Sequence, residues 1–367
     1  MKQRLTALCG ASVLLLMLIG CFTLTTNCSV KKPAIPTIAL PGGSGVQAIT
    51  PIQRLGKCTL INGNFEIVPV TAGSVTTTNV HVITHGWAPN YKDAVETYKS
   101  THSGQTLLAW YPEAVYDGVR FFVPSFTNLA QAIMQNDPAS TVLVFSWIDQ
   151  SATEVSKLHP INSRDSLCAV EGRTRMVAGE FSTAVSQALS AGQHKLHLLG
   201  HSFGTKVVSL AGVDFRNNSD IALLHLTLFD SPERASLFDQ SIPCADNHLE
   251  GILPGITPNR TTYFVDNYIS YWDKCLSTAP DEIVDVTLVA QNCTSKGYED
   301  CLSCAHEFGV NWYTAETWNP RHQYGLWWSP MVSRAATGLS RFYILDVGKD
   351  TLLTRPDCQD GKVVTCW

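Results

Sequence analysis

Ser202 stands between two glycines in KLHLLGHSFG, residues 195–204, a Gly-x-Ser-x-Gly turn fed by an apolar run and followed by TKVVSLAGV. A serine hydroxyl is a poor nucleophile unless it is exposed, aimed and paired with a base. A sharp strand-to-helix turn does the aiming, at the cost of strained backbone angles and of neighbours small enough not to clash. Three further groups are then needed: a base within reach of the serine, an acid to hold the base, and two backbone donors for the oxyanion. The plainer reading is an ordinary glycine turn in an α/β sheet.

On a parallel sheet with such a turn, the partners follow in the order serine, acid, histidine. Asp230 ends the apolar run LLHLTLFD and opens the turn Asp-Ser-Pro-Glu. Its carboxylate is expected at the C-terminal edge of a strand, where parallel α/β sheets place their sites. Asp266, in YFVDNY, is the alternative acid, although it lies mid-strand, and Asp273 is a third; a turn cap is the plain reading of Asp230. His306, in CLSCAHEFGVNWY, is the candidate base, with His322 in NPRHQYG as the alternative. His81, His194, His197, His201 and His225 precede the acid or fall within strands and turns, and read as packing or surface histidines. The expected oxyanion donors are the backbone N–H of Phe203 and the N–H of Trp87, in the turn His85-Gly86-Trp87.

These residues need elements to carry them. Residues 57–79 read as one or two early antiparallel strands. From Asn79 the chain alternates strand and helix. Strands are expected at 79–87, 141–149, 223–230, 261–270, 283–291 and 342–347, and over the Leu-His-Leu-Leu run, residues 196–199, that feeds the serine turn. Helices are expected within 91–100 and 118–134, and over 173–190, where Met176, Val177, Phe181, Ala184, Val185 and Leu189 form one apolar stripe. Such alternation predicts a mostly parallel central sheet with helices on both faces. Residues 231–330 contain a Cys/Trp-rich irregular region, whose Trp312, Trp318, Trp327 and Trp328 could line an acyl groove, rim a membrane-facing surface or pack loops.

Taken in order, ITHGW, TVLVFSW, a long helix, HLLGHSFG, LTLFDSPE and CAH resemble the pancreatic-lipase-type group of α/β hydrolases, over about residues 79–310. In that group an HG-aromatic turn supplies an oxyanion donor, the aspartate follows the strand after the nucleophile, and the histidine follows a cysteine by two. The resemblance implies an α/β-hydrolase fold with Ser202 as nucleophile, Asp230 as acid, His306 as base, and Trp87 and Phe203 as donors. It also implies a serine hydrolase of lipid or other carboxylic esters that needs no cofactor and no metal. Departures are visible. The aspartate turn is Asp-Ser-Pro rather than Asp-Pro, segment 231–305 bears little likeness to the group's lid, and no lipid-binding sandwich domain fits after residue 310. Two other expectations stand beside it: a catalytically silent hydrolase-fold lipoprotein with a binding or envelope role, and a peptide or thioester hydrolase using the same triad.

Composition narrows the setting. With 367 residues, 45% hydrophobic and 16% charged, the chain can bury a large core; a net charge of −5 without a basic block argues against nucleic acid as a partner. Residues 1–21 carry Lys2 and Arg4 ahead of an apolar run from Leu5 to Ile19, the size and charge order of a signal peptide. Leu18-Ile19-Gly20-Cys21 resembles a bacterial lipobox, which implies a lipid on Cys21 and a cell-envelope lipoprotein; a plain cleaved signal and an uncleaved anchor stay open. Residues 22–56 read as a flexible tether rich in proline, and 57–367 as one domain. The ten cysteines after the leader form an even set, which suits disulfide-containing loops and an oxidising compartment. Among them, Cys301-x-x-Cys304 reads as structural rather than redox-active or zinc-binding.

Overall fold

The computed structural model describes residues 49–89, 126–153, 161–233, 248–256, 262–270, 283–289, 308–315, 342–346 and 351–355, with single positions between them. These belong to one compact unit, residues 46–367. The leader, Cys21, Asp273 and His322 lie outside the described residues, as do cysteines 301 and 304.

A 3-10 turn, Pro51–Arg54, opens the described chain, and its Arg54 is buried. The Arg54 guanidinium grips both carboxylate oxygens of Asp149, at 2.5 and 3.0 Å, and lies 2.9 Å from Glu180. Bidentate pairing of this kind fixes orientation as well as charge. The tether expected to reach residue 56 is therefore already part of the fold from residue 51.

β1 (Leu55–Ile61) and β2 (Asn64–Pro69) form an antiparallel hairpin around Asn62 and Gly63. Both turn residues have positive φ, 53° and 82°, the geometry that an Asn-Gly pair accepts most readily. There follow β3 (Asn79–Thr84), β4 (Ala88–Pro89), α1 (Phe126–Asn136), β5 (Thr141–Phe145), β6 (Ala152–Thr153), α2 (Ile161–Ala188), β7 (His194–His201), α3 (Phe203–Phe215) and β8 (Ile221–Phe229). The last four strands are β9 (Thr262–Ile269), β10 (Ile283–Val289), β11 (Phe342–Asp346) and β12 (Thr351–Arg355). Ten strands make one sheet in the order β12-β11-β10-β9-β8-β7-β3-β5-β1-β2. It is parallel from β5 through β11 and antiparallel at both ends. β4 and β6 pair separately.

Both faces of the sheet are covered. Val80 and Val82, Leu196 and Leu198, and Leu224 and Leu226 point into one apolar cluster with α2 and α3. Ile83, Leu199, Val142 and Val144 point the other way, against α1 and the helical residues 308–315. Strand alternation thus separates two cores, and burial of strands on both sides explains their near-continuous apolar runs.

Three expectations need correction. The helix expected over 173–190 begins at Ile161, and Met176, placed in its apolar stripe, is 54% exposed. Val177, Phe181, Ala184 and Val185 do form that stripe. The even disulfide set fails at Cys58, which sits on β1 as a buried free thiol; burial pushes its thiol well up from the usual range. Cys168, on α2, is disulfide-bonded.

Candidate active site

β7 delivers the chain to Ser202 with His201 as its last residue, and α3 starts at Phe203. Ser202 adopts φ 55° and ψ −131°, a region that residues with a Cβ rarely occupy. Such strain persists only when the surroundings dictate it. Here the Ser202 N–H donates to the Phe229 carbonyl at 2.9 Å, and the Thr205 N–H donates to the Ser202 carbonyl at 3.0 Å. A Cβ at Gly200 would lie 2.4 Å from the Gly204 carbonyl oxygen, and one at Gly204 2.6 Å from that of His85. Both glycines of the Gly-x-Ser-x-Gly pattern are therefore steric requirements of the turn.

The His85-Gly86-Trp87 turn lies directly over the serine. A Cβ at Gly86 would fall 2.6 Å from Ser202 Cβ and 3.0 Å from its Oγ. His85 holds the turn from beneath. Its Nε2 accepts the Trp147 N–H at 3.1 Å, the Trp147 indole N–H donates to the His85 carbonyl at 2.7 Å, and the two rings stack. Burial lowers the His85 pKa to about 4, so it is a neutral imidazole. Beyond the turn, the Trp87 indole N–H donates to Thr153 Oγ1 at 2.7 Å.

Asp230 follows β8 directly and is fully buried at φ 47°. Its N–H donates to the Tyr268 carbonyl at 2.9 Å, and its Oδ1 accepts the Ser270 N–H at 3.0 Å. Its Oδ2 lies 2.5 Å from His306 Nδ1. The His306 side chain is 16% exposed, which leaves the ring reachable from solvent. Asp230 and His306 are thus brought together from 76 residues apart.

The ring next to the serine holds the histidine. His201 Nε2–H donates to the His306 carbonyl at 3.0 Å, and the two imidazole centroids are 4.2 Å apart. Burial, and then the charge of His306, hold the His201 pKa well below the usual histidine range. His201 therefore stays neutral beside the His306 ring. Sequence reasoning set His201 aside as a packing or surface residue. The available signal was position: it immediately precedes Ser202.

Asp266, the alternative acid, is elsewhere. It lies within β9 and accepts bonds from Thr227 Oγ1 at 2.7 Å, His225 Nε2 at 3.0 Å and Tyr268 OH at 2.9 Å. Trp328, a candidate for a membrane-facing rim, is 8% exposed and stacks on His197 instead.

No family model matches this chain, and no curated protein matches it. Solved structures do. A putative thioesterase from Silicibacter sp. tm1040 is 13% identical at TM-score 0.28; the match covers 59% of this chain and 66%, just under two thirds, of that one. The NocB thioesterase domain is 11% identical at TM-score 0.28, over 64% and 94% of the two chains. The esterase Est22 is 11% identical at TM-score 0.23, over 59% and 63%. At such scores the fold assignment rests on the strand order and the turn at Ser202. A parallel sheet clad on both faces, with the serine turn after β7 and the aspartate after β8, fits the α/β-hydrolase arrangement.

Proposed function

We propose that the protein is a serine ester hydrolase acting on lipid or other carboxylic esters through an acyl-enzyme. One observation carries this reading: the His306–Asp230 pair, closed at 2.5 Å, is held by His201 against the strained turn that presents Ser202. In the proposed cycle Ser202 Oγ attacks the ester carbonyl while His306 Nε2 takes its proton. Asp230 accepts the His306 Nδ1–H, orients the ring and stabilises the imidazolium. The N–H groups of Phe203 and Trp87 hold the oxyanion. His306 then gives the proton to the leaving alkoxide, and a water activated by the same ring hydrolyses the acyl-enzyme.

The test is a fluorophosphonate probe with a panel of p-nitrophenyl esters from short to long acyl chains. Wild type is expected to label at Ser202 and to turn over esters, and Ser202→Ala to do neither. Full activity in Ser202→Ala ends the reading. We also propose that the leader exports the protein and that Cys21 carries the lipid that anchors it. In a bacterial host, Cys21→Ala is then expected to move the protein from the membrane fraction to the soluble one. Unchanged partition refutes the anchor alone.

A further inference from the structure

Beneath the site lies a group of charges that the proposed cycle does not use. Lys206, in the first turn of α3, has its side chain fully buried. Its Nζ lies 2.7 Å from Glu171 Oε1 on α2 and 3.3 Å from Glu233 Oε1, and both carboxylates are fully buried too. Glu233 closes the turn that Asp230 opens. Its other oxygen accepts the Leu249 N–H at 3.3 Å and faces His248 Nδ1 at 3.2 Å. A second tie runs alongside. The Ser231 hydroxyl donates to Glu233 Oε1 at 3.1 Å, and Thr205 Oγ1 lies 2.8 Å from Ser231 Oγ and 2.6 Å from the Ser202 carbonyl.

Buried ion pairs repay their desolvation poorly, and apolar residues of equal volume often stabilise as well or better. A lysine with two carboxylates is thus a poor choice for stability alone. It does have a geometric use. Asp230 is held at positive φ, which needs fixing from several sides. Its N–H is tied to Tyr268 on β9, and its carboxylate to the Ser270 N–H just beyond that strand. The Lys206–Glu233 and Thr205–Ser231 contacts tie its turn to the first turn of α3.

We infer, on the hydrolase reading above, that Lys206 and Glu233 are positioning residues: they clamp the turn carrying the Asp230 carboxylate to the first turn of α3, and so set the distance between acid and nucleophile. Glu171 serves only to balance the lysine. The two glutamates therefore make a matched pair. Each contacts Lys206, but only Glu233 sits on the acid turn.

The experiment compares Glu233→Gln with Glu171→Gln in the full chain. It measures thermal midpoint, kcat and KM per fluorophosphonate-titrated site, and the downfield proton resonance of the His306 Nδ1–Asp230 bond. Both variants are expected to lose stability. Glu233→Gln is expected to lower kcat by on the order of 10²-fold with KM unchanged, as a displaced catalytic group does. Its downfield resonance should shift or vanish. Glu171→Gln should retain kcat and the resonance. Equal kcat losses in the two variants, or none in either, overturn the inference. Should Glu233→Gln fail to fold, Ser231→Ala takes its place, because it cuts the parallel tie without unpairing a charge; an unchanged kcat and resonance there overturn the inference as well. A wild-type protein that neither labels at Ser202 nor cleaves esters would instead overturn the hydrolase reading itself.

Discussion

Asp230, just after β8, and Asp266, within the neighbouring β9, are both buried carboxylates, and their hydrogen-bond partners differ. Asp230 accepts one backbone N–H and meets the half-buried ring of His306. Asp266 is saturated by a hydroxyl, a phenol and an imidazole, all buried. Asparagine tolerates positive φ as well as aspartate does, so Asp230→Asn should keep its backbone. On the proposed mechanism it removes the charge that opposes the imidazolium, and kcat is expected to fall on the order of 10³–10⁴-fold, as for the aspartate of established serine-protease triads. Asp266→Asn should instead spare kcat per labelled site. It puts an NH₂ among buried donors, and is expected to cost about 1–3 kcal/mol of stability. Kinetics and denaturant unfolding of both variants decide the matter: the larger kcat loss in Asp266→Asn would reverse the assignment. Their different placements were legible in the sequence, because Asp230 ends an apolar run and Asp266 interrupts one.

At the scale of elements, most of the parallel core could be read from the chain, because strands buried on both faces must be apolar at almost every position. The same rule blurs their edges. The run after Thr141 stays apolar past Phe145, where β5 ends, because Trp147 continues the burial as the partner of His85. Met176 shows the converse. It fits the helical period of α2, yet the stripe it would join is covered only along Val177, Phe181, Ala184 and Val185, so an apolar residue one position off the stripe meets water. Cys58 was hidden for a related reason. Cysteine count speaks to compartment, whereas the burial of one cysteine depends on β1 pairing with β5, a contact nearly ninety residues long. The serine turn was legible because its glycines answer a local steric demand. The clamp beneath it was not, since Glu171 and Glu233 meet Lys206 only once α2, α3 and the acid turn are packed.

Across the whole molecule, strand order lines up histidines that are remote in the chain. His81 pairs in register with His197, and His197 with His225, on adjacent strands β3, β7 and β8. His81 Nδ1 and His197 Nδ1 lie 3.0 Å apart, His197 Nε2 lies 2.8 Å from Thr227 Oγ1, and Trp328 covers the row. At its end His81 Nε2 lies 3.3 Å from Asp137. Burial lowers the pKa of His81 and His197 here, as it does for His85 and His201 around the site. Each is neutral in the fold but takes a proton in the unfolded chain below about pH 6.5. Their contribution to stability is therefore complete above that pH, and is lost as pH falls toward the depressed folded values. For His85, with a folded value of about 4, the loss between pH 6.5 and 4 is about 3 kcal/mol. Four such groups act together, against a total stability on the order of 5–15 kcal/mol. Urea unfolding is expected to show a midpoint that falls steadily below pH 6.5, and a fold that is lost near pH 4–5 without denaturant. His197→Gln, which keeps a donor toward Thr227 but cannot be protonated, should flatten that slope. A midpoint constant from pH 7 to pH 5 would mean that the row admits protons without opening, and that the neutral imidazoles inferred here are charged in the native state.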